Sequence, residues 1–287
     1  MQPFIKSVGG KTSLLPELME RVPRQGWDAY CEPFVGGGAL FFRLCRAGLV
    51  LTREALLADS NAELIQLYQH MRDGDLFTPL YDRTRRLFLD YNGATLTNKE
   101  GLYYEQRARW NAGDHAPEVQ VFLRQAGYNG LWRENKKGMM NTPWGKYETM
   151  SPEVLGRFRG CHAALAGVLL VAGDFRKVLD PLLVDKRRWL VYLDPPYYNS
   201  FTGYTAQQFT VADQEYLVKM AAGLDRMGHL VIYSNDVGME RRVAALWPAA
   251  EIARVQNRRS VSCLPNGRGA KTELLVVGAT LAKELGR

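Results

Sequence analysis

The chain has 287 residues, 46% of them hydrophobic and 23% charged, with a formal net charge of +7. That composition excludes a disordered or fibrous protein, and the length suits one large α/β domain or one domain with a substantial insertion. The longest apolar run, Ala163 to Gly173, is too short to span a bilayer, no secretory apolar core opens the chain, and the excess of cations points to an anionic partner, nucleic acid or a membrane surface.

Cys31, Cys45, Cys161 and Cys263 are dispersed without a Cys-x-x-Cys pair, so neither a zinc site nor a disulfide framework is expected. Free thiols fit a reducing, cytoplasmic setting. In chain order, Lys6-Ser7-Val8-Gly9-Gly10-Lys11 precedes Leu14, Leu15, Leu18 and Met19, whose spacing predicts an amphipathic helix. The glycines allow backbone to approach a ligand, and Lys11 offers positive charge to a carboxylate. A first strand, Trp27 to Glu32, runs into Pro33-Phe34-Val35-Gly36-Gly37-Gly38 and a helix through Leu44. Strand, glycine-rich turn and helix form the first unit of a nucleotide-binding sheet. The turn lacks the Gly-x-Gly-x-x-Gly spacing and no P-loop occurs anywhere, which argues against NAD and against a P-loop ATPase. The second strand, Glu54 to Ala58, ends at Asp59, about 20 residues beyond Gly38, the offset at which an acid accepts hydrogen bonds from ribose hydroxyls. An unphosphorylated adenosine is therefore expected in the ligand.

From Glu63 to Met150 helical spacing dominates, through Leu64 to Tyr68, Tyr81 to Leu89, Tyr103 to Trp110 and Val119 to Gly127. Tyr128-Asn129-Gly130-Leu131-Trp132-Arg133 follows, with Lys136, Lys137 and Lys146 behind it. An Asn-Gly turn among cations and aromatics predicts a hairpin tip that reaches into a DNA groove, carried on an inserted helical domain. Strands resume at Leu165 to Ala172, which stops before Gly173-Asp174-Phe175, and at Trp189 to Leu193. The latter ends in Asp194-Pro195-Pro196-Tyr197, where prolines terminate the ladder. An acceptor carboxylate, the Pro195 carbonyl and an aromatic ring at a strand's carboxyl end suit a planar base with an exocyclic amine. A polar loop, Tyr198 to Phe209, holds Phe201, Tyr204 and Thr205. A helix is expected from Asp213 to Met227, a strand from His229 to Tyr233 before Ser234-Asn235-Asp236, and two more strands near Ala250 to Val255 and Glu273 to Val277. Arg254, Arg258, Arg259, Arg268 and Lys271 lie between Glu251 and Glu273 without an acid, which predicts a phosphate-contacting loop.

This ordered set, from Lys6 to Lys11, Glu32 to Gly38, Asp59, Gly127 to Arg133, Asn141-Thr142-Pro143, Asp194 to Tyr197, Ser234 to Asp236 and Arg258-Arg259-Ser260, resembles the Dam-type (D12 class, alpha group) DNA adenine-N6 methyltransferases over nearly the whole chain. The resemblance implies an α/β fold: a seven-stranded, Rossmann-like sheet that binds S-adenosylmethionine (SAM), residues 1–62 and 151–287, interrupted by a helical target-recognition domain, residues 63–150, with a hairpin near 127–147. It implies methyl transfer from SAM to N6 of a flipped adenine in double-stranded DNA, without a metal and by a monomer, in the cytoplasm of a cell or from a phage. Asp194, Pro195, Pro196 and Tyr197 are then the catalytic set. Ser7, Lys11, Glu32, Phe34, Gly36, Gly38, Asp59, Asp174, Phe175 and Asp194 fall at cofactor positions, although family members usually carry Trp where this chain has Ser7. For DNA, the implied residues are Lys6, Tyr128, Asn129, Leu131, Arg133, Asn141, Pro143, Tyr147, Arg258 and Arg259. Lys6 and Arg133 would each meet an outer guanine of GATC, Leu131 a thymine methyl and Pro143 the central bases, while Tyr128 would fill the gap left by the adenine. The alternatives are an N4-cytosine or RNA base methyltransferase and a non-catalytic DNA-binding module that keeps the SAM fold.

Overall fold

In the computed structural model, residues 2–6, 11–50, 55–198, 209–258 and 270–287 are described, the side chains of 257, 258, 270 and 271 excepted. Ser7, Arg259, and the side chain of Arg258 therefore lie outside the described structure, as do Phe201, Tyr204 and Thr205.

A single seven-stranded sheet organises the chain in the order β3-β2-β1-β4-β5-β7-β6. Its strands are β1 (Ala29–Glu32), β2 (Ala55–Asp59), β3 (Leu169–Ala172), β4 (Trp189–Leu193), β5 (Leu230–Asp236), β6 (Glu251–Arg258) and β7 (Ala270–Val277). The first five run parallel, and β7 inserts antiparallel between β5 and β6. β4 is apolar throughout because both its faces are covered: Leu190 and Tyr192 enter one core, Trp189, Val191 and Leu193 the other. On the first face pack α1 (Leu15–Met19), α2 (Ala39–Arg46), α3 (Ala62–Arg72) and α11 (Ala279–Glu284). On the second pack α8 (Phe175–Leu179), α9 (Val211–Arg226) and α10 (Glu240–Leu246). Strand order reverses between β1 and β4, so a crevice opens beyond the carboxyl ends of these two strands, where ligands bind in such sheets.

The chain between β2 and β3 forms the helical insertion. α4 (Gly74–Gly93), α5 (Leu96–Asn111) and α6 (Pro117–Ala126) lead to a hairpin, and α7 (Pro152–Leu165) returns to the sheet. Every side chain from Glu118 to Ala126 is buried, which makes α6 the axis of this unit. α3, just past the boundary expected at residue 62, packs on β2 and β3 and also on α4, α6 and α7, so it belongs to both layers.

Several expected boundaries move, three of them for plain physical reasons. The run expected as a strand from Leu165 begins as the last residue of α7, turns at Gly167 (φ 76°), and enters β3 only at Leu169. An apolar run without a clear period does not separate buried helix from buried strand. β5 continues beyond Tyr233 to Asp236, because β7 lies alongside and pairs Ser234 with Leu275 and Asp236 with Glu273. Asn129-Gly130 is not the hairpin tip. It forms a 3-10 turn at the hairpin's base, both residues at positive φ, while the chain reverses at Asn135 to Met139, where the Asn135 side chain accepts from the Lys137 and Met139 backbone.

Candidate active site and DNA-reading hairpin

The glycine turn after β1 is held from below. Gly36 N–H donates to Asp59 Oδ2 at 3.0 Å, Asn61 N–H donates to Asp59 Oδ1 at 3.0 Å, and the Tyr68 hydroxyl donates to the Gly36 carbonyl at 3.1 Å. Gly38 has φ 67° and caps α2, and a Cβ there would sit 2.8 Å from the Tyr68 oxygen. The turn thus tolerates no side chain at that point. Burial pushes Asp59 above the usual carboxylate range, against the backbone N–H groups that favour its charge. A carboxylate offers about four acceptor sites, so the Gly36, Ser60 and Asn61 backbone donors leave some acceptor capacity on Asp59.

Across the crevice stands Asp194. Lys11, in a 3-10 turn before α1 and 7% exposed, places Nζ 2.9 Å from Asp194 Oδ2. Ser234 Oγ donates to Asp194 Oδ1 at 2.8 Å, and Tyr192 in turn reaches Ser234 Oγ at 3.1 Å. This cluster forms because Tyr192, Asp194 and Ser234 share one face of two paired strands. Burial raises the Asp194 pKa, while Lys11 and Ser234 oppose the shift. Beyond it the turn is fixed at three points. Gln214 Nε2 donates to the Pro196 carbonyl at 2.6 Å, the Tyr198 N–H donates to Asn235 Oδ1 at 3.1 Å, and the Tyr197 hydroxyl donates to Glu273 Oε2 at 2.8 Å. Lys11 Nζ lies 4.6 Å from the Tyr197 ring centroid.

Glu32, at the end of β1, is buried with its carboxylate bonded by the Tyr30 hydroxyl at 2.8 Å and by the Phe41 N–H in the first turn of α2. Burial drives its pKa up to about 8; Tyr30 opposes the rise and the charge of Asp194 adds to it. Phe34, Phe175 and Phe209 pack together, their centroids 5.4 to 5.8 Å apart. Asp174 is exposed and caps α8 through the Arg176 N–H at 2.8 Å, with a salt bridge to Arg176 at 2.9 Å.

The hairpin gathers the residues expected to read DNA. Gly130 lies against Lys6, whose Cβ would be 2.6 Å from a Cβ at that glycine. Lys6 Nζ donates to the Gln125 carbonyl at 3.3 Å and sits 4.3 Å from the Tyr147 ring centroid. Tyr128 is 40% exposed, its N–H bonded to the Pro143 carbonyl at 2.9 Å. Arg133 is braced by Asn141, with Nε 2.6 Å from Oδ1 and Nη2 3.0 Å from the carbonyl. Asn129 takes the left-handed conformation at φ 53°. Leu131 is buried, and its carbonyl accepts from Thr142 Oγ1 at 3.2 Å.

Sequence reasoning missed Glu273, Gln214, Tyr192 and Arg124. Glu273 carries the one available signal, an acid directly before the apolar run Leu274 to Val277. Arg124 is buried under Trp132, 4.5 Å from its ring, and its Nε has no hydrogen-bond partner among the described residues. Burial lowers its pKa to about 10, and Asp59 opposes that shift. Among the described residues no group of three or more His, Cys, Asp or Glu is placed to hold a metal ion, and no helix is long and apolar enough to cross a membrane.

A family model described as D12 class N6 adenine-specific DNA methyltransferase matches residues 7–261. The chain is 31% identical over 281 residues to the Type II methyltransferase M.MjaIII of Methanocaldococcus jannaschii, covering 92% of this chain and 93% of that protein. It is 30% identical over 290 residues to a DNA adenine methylase of Haemophilus influenzae, covering 96% and 93%. Among solved structures, an rRNA methyltransferase, aviRa from Streptomyces viridochromogenes, aligns over 95% of this chain and 87% of its own at 13% identity and a TM-score of 0.37, too distant to carry an argument.

Proposed function

Because the chain belongs to the D12 class of N6 adenine-specific DNA methyltransferases, it acts on DNA adenine, and we propose that SAM is its methyl donor, that the adenine is swung out of the duplex, and that the site is GATC. The observation that carries this reading is the Asp194 carboxylate, held between Lys11 and Ser234 at the carboxyl end of β4, opposite the glycine turn after β1.

When bound, the donor supplies a methyl group already activated on a positive sulfur. Gly36 and Gly38 would lie against it, Asp59 would accept from its ribose, and Phe34 with Phe175 would supply apolar contact. The protein's own task is alignment. The adenine amine is a weak nucleophile because its lone pair is delocalised into the ring. Asp194 accepts one N6–H, which orients the amine and steadies the positive charge that grows on nitrogen. N6 must also lose one proton, and a carboxylate whose pKa burial raises is suited to take it. Lys11 favours the charged form of that carboxylate against burial, and Tyr197 would offer the base a ring to stack on.

On the DNA side, the Arg133 fork braced by Asn141 suits bidentate contact with guanine O6 and N7. Tyr128, exposed at the hairpin's base, suits the gap in the stack. Leu131, 9% exposed and two residues before Arg133, would meet a thymine methyl. Lys6 packs against the same turn, which unites the two expected guanine readers in one structural unit. The protein is expected to work as a monomer.

Asp194→Asn tests the reading. It should abolish label transfer from SAM to a GATC duplex while the duplex still binds, and digestion of DNA treated with the parent enzyme should yield N6-methyladenine and no N4-methylcytosine. Near-parent turnover by the variant would remove Asp194 from the chemistry. Equal methylation of duplexes altered at each base around the adenine would remove GATC.

A further inference from the structure

Glu273 sits where a carboxylate is costly. It is 1% exposed, in β7, a strand flanked on both sides, and the residues that follow it, Leu274 to Val277, are buried and apolar. Withdrawing a carboxylate from water is strongly unfavourable unless hydrogen bonds compensate, and an apolar side chain would fill this position at less cost. Its register places it opposite Asp236 of β5, on the face that carries Ser234 and at the crevice end of the sheet. There it accepts the Tyr197 hydroxyl at 2.8 Å.

That bond completes a restraint on the ring. The backbone on either side of Tyr197 is already tied, through the Pro196 carbonyl to Gln214 and through the Tyr198 N–H to Asn235. With the hydroxyl tied to β7, the ring is held at both ends. Lys11 Nζ lies over one of its faces, 4.6 Å from the centroid, while also holding Asp194. Lys11 thus ties the ring to the Asp194 carboxylate in a fixed relation.

We propose that Glu273 is a positioning residue for methyl transfer: it anchors the Tyr197 hydroxyl so that the ring stands at a set angle as the seat of the extruded adenine. This rests on the reading that the base stacks on Tyr197. Alignment of a weak nucleophile depends steeply on angle and distance, and a misplacement near 1 Å costs about 100-fold in rate. The anchor therefore acts on the chemical step and not on either binding step.

The test uses single-turnover methylation, the fluorescence of 2-aminopurine at the target position, and affinities for duplex DNA and for sinefungin. Glu273→Leu should lower the single-turnover rate by about 10- to 100-fold and leave the 2-aminopurine brighter than in the parent complex, since the base is less firmly stacked, with both affinities within about threefold. Glu273→Gln keeps an acceptor for the hydroxyl and should restore the parent rate to within about threefold. Tyr197→Phe removes the same bond from its other end and should reproduce the loss; in that background Glu273→Leu should add nothing. If the leucine variant does not fold, Tyr197→Phe carries the test alone. Parent-like behaviour of Tyr197→Phe, or losses that add in the double variant, would overturn the anchor. A Tyr197→Ala variant with the parent's rate and fluorescence would instead overturn base stacking on Tyr197, the reading beneath it.

Discussion

At Glu32, burial competes with a charge that the site attracts. The carboxyl sits under the glycine turn, bonded by Tyr30 and the Phe41 N–H, and its pKa rises to about 8 from an ordinary value of 4.5. Between these two values the folded protein keeps a proton that the unfolded chain releases. Glu32 therefore destabilises the fold progressively as pH rises from about 4.5 to about 8, and the penalty is complete above that. Glu32→Gln should flatten this dependence: its thermal midpoint should fall less than the parent's between pH 6 and pH 8.5. Parallel curves for the two proteins would show that the carboxyl is not protonated in the folded state. Residues of this kind mark the limit of what a sequence displays. Asp194 and Tyr197 stand in one tetrapeptide at a recognisable strand end, and Asp59 at a recognisable offset from Gly38, so their chemistry is written locally. The link from Asp194 to Ser234, and from Tyr197 to Glu273, joins positions distant in the chain through the pairing of β4, β5 and β7. Arg124 looks like any helical surface cation in sequence, since nothing local announces that α6 is enclosed on all sides.

Elements were legible to the extent that their own residues decide them. All seven strands fall on runs expected from the sequence: the inner strand β4 is a continuous apolar run because both its faces are covered, whereas the edge strand β6 mixes apolar with charged residues and runs three residues past the stretch expected. β5 was cut short because Ser234, Asn235 and Asp236 are polar, and only their partner strand makes them strand residues. The hairpin shows the converse: Asn129-Gly130 has the composition of a hairpin turn, yet Lys6 packs into Gly130 and the turn becomes a foot. Its base is crowded. A Cβ at Gly127 would lie 2.7 Å from the Leu123 carbonyl oxygen and 3.2 Å from the Tyr103 hydroxyl, and the first of these is helix backbone that cannot swing aside. Gly127→Ala should therefore cost about 1–3 kcal/mol of stability. Hydrogen exchange should accelerate in residues 127–147 before it does so in β4, and SAM affinity should hold. Uniform protection across both regions would mean that the base does not govern the hairpin.

For the whole molecule, the net charge of +7 places Coulomb attraction at the centre of DNA encounter. Lys136 and Lys137 stand exposed at the hairpin's far end. If each neutralises one phosphate, replacing both by Ala should reduce the slope of log affinity against log salt by about 1.8, at about 0.9 per contact, and should do so equally for GATC and scrambled duplexes. An unchanged slope in anisotropy titrations would place the phosphate contacts elsewhere. The α/β class and the helical insertion were readable at this scale because hydrophobic period changes sharply after Asp59 and again before Asp174.

The insertion has one further property, which follows from its stem. It leaves the sheet through α3 and returns through α7, and these two helices lie side by side, with His162 Nδ1 bonded to the Met71 carbonyl at 2.8 Å and Arg72 bonded to the Val168 carbonyl at 2.9 Å. A unit whose entrance and exit are neighbours can be excised and replaced without rethreading a single strand. If the insertion reads DNA as proposed, an exchange made at the Met71–His162 and Arg72–Val168 clasps would transplant a new target sequence, provided the incoming unit also receives Lys6 as Gly130 and Gln125 do here.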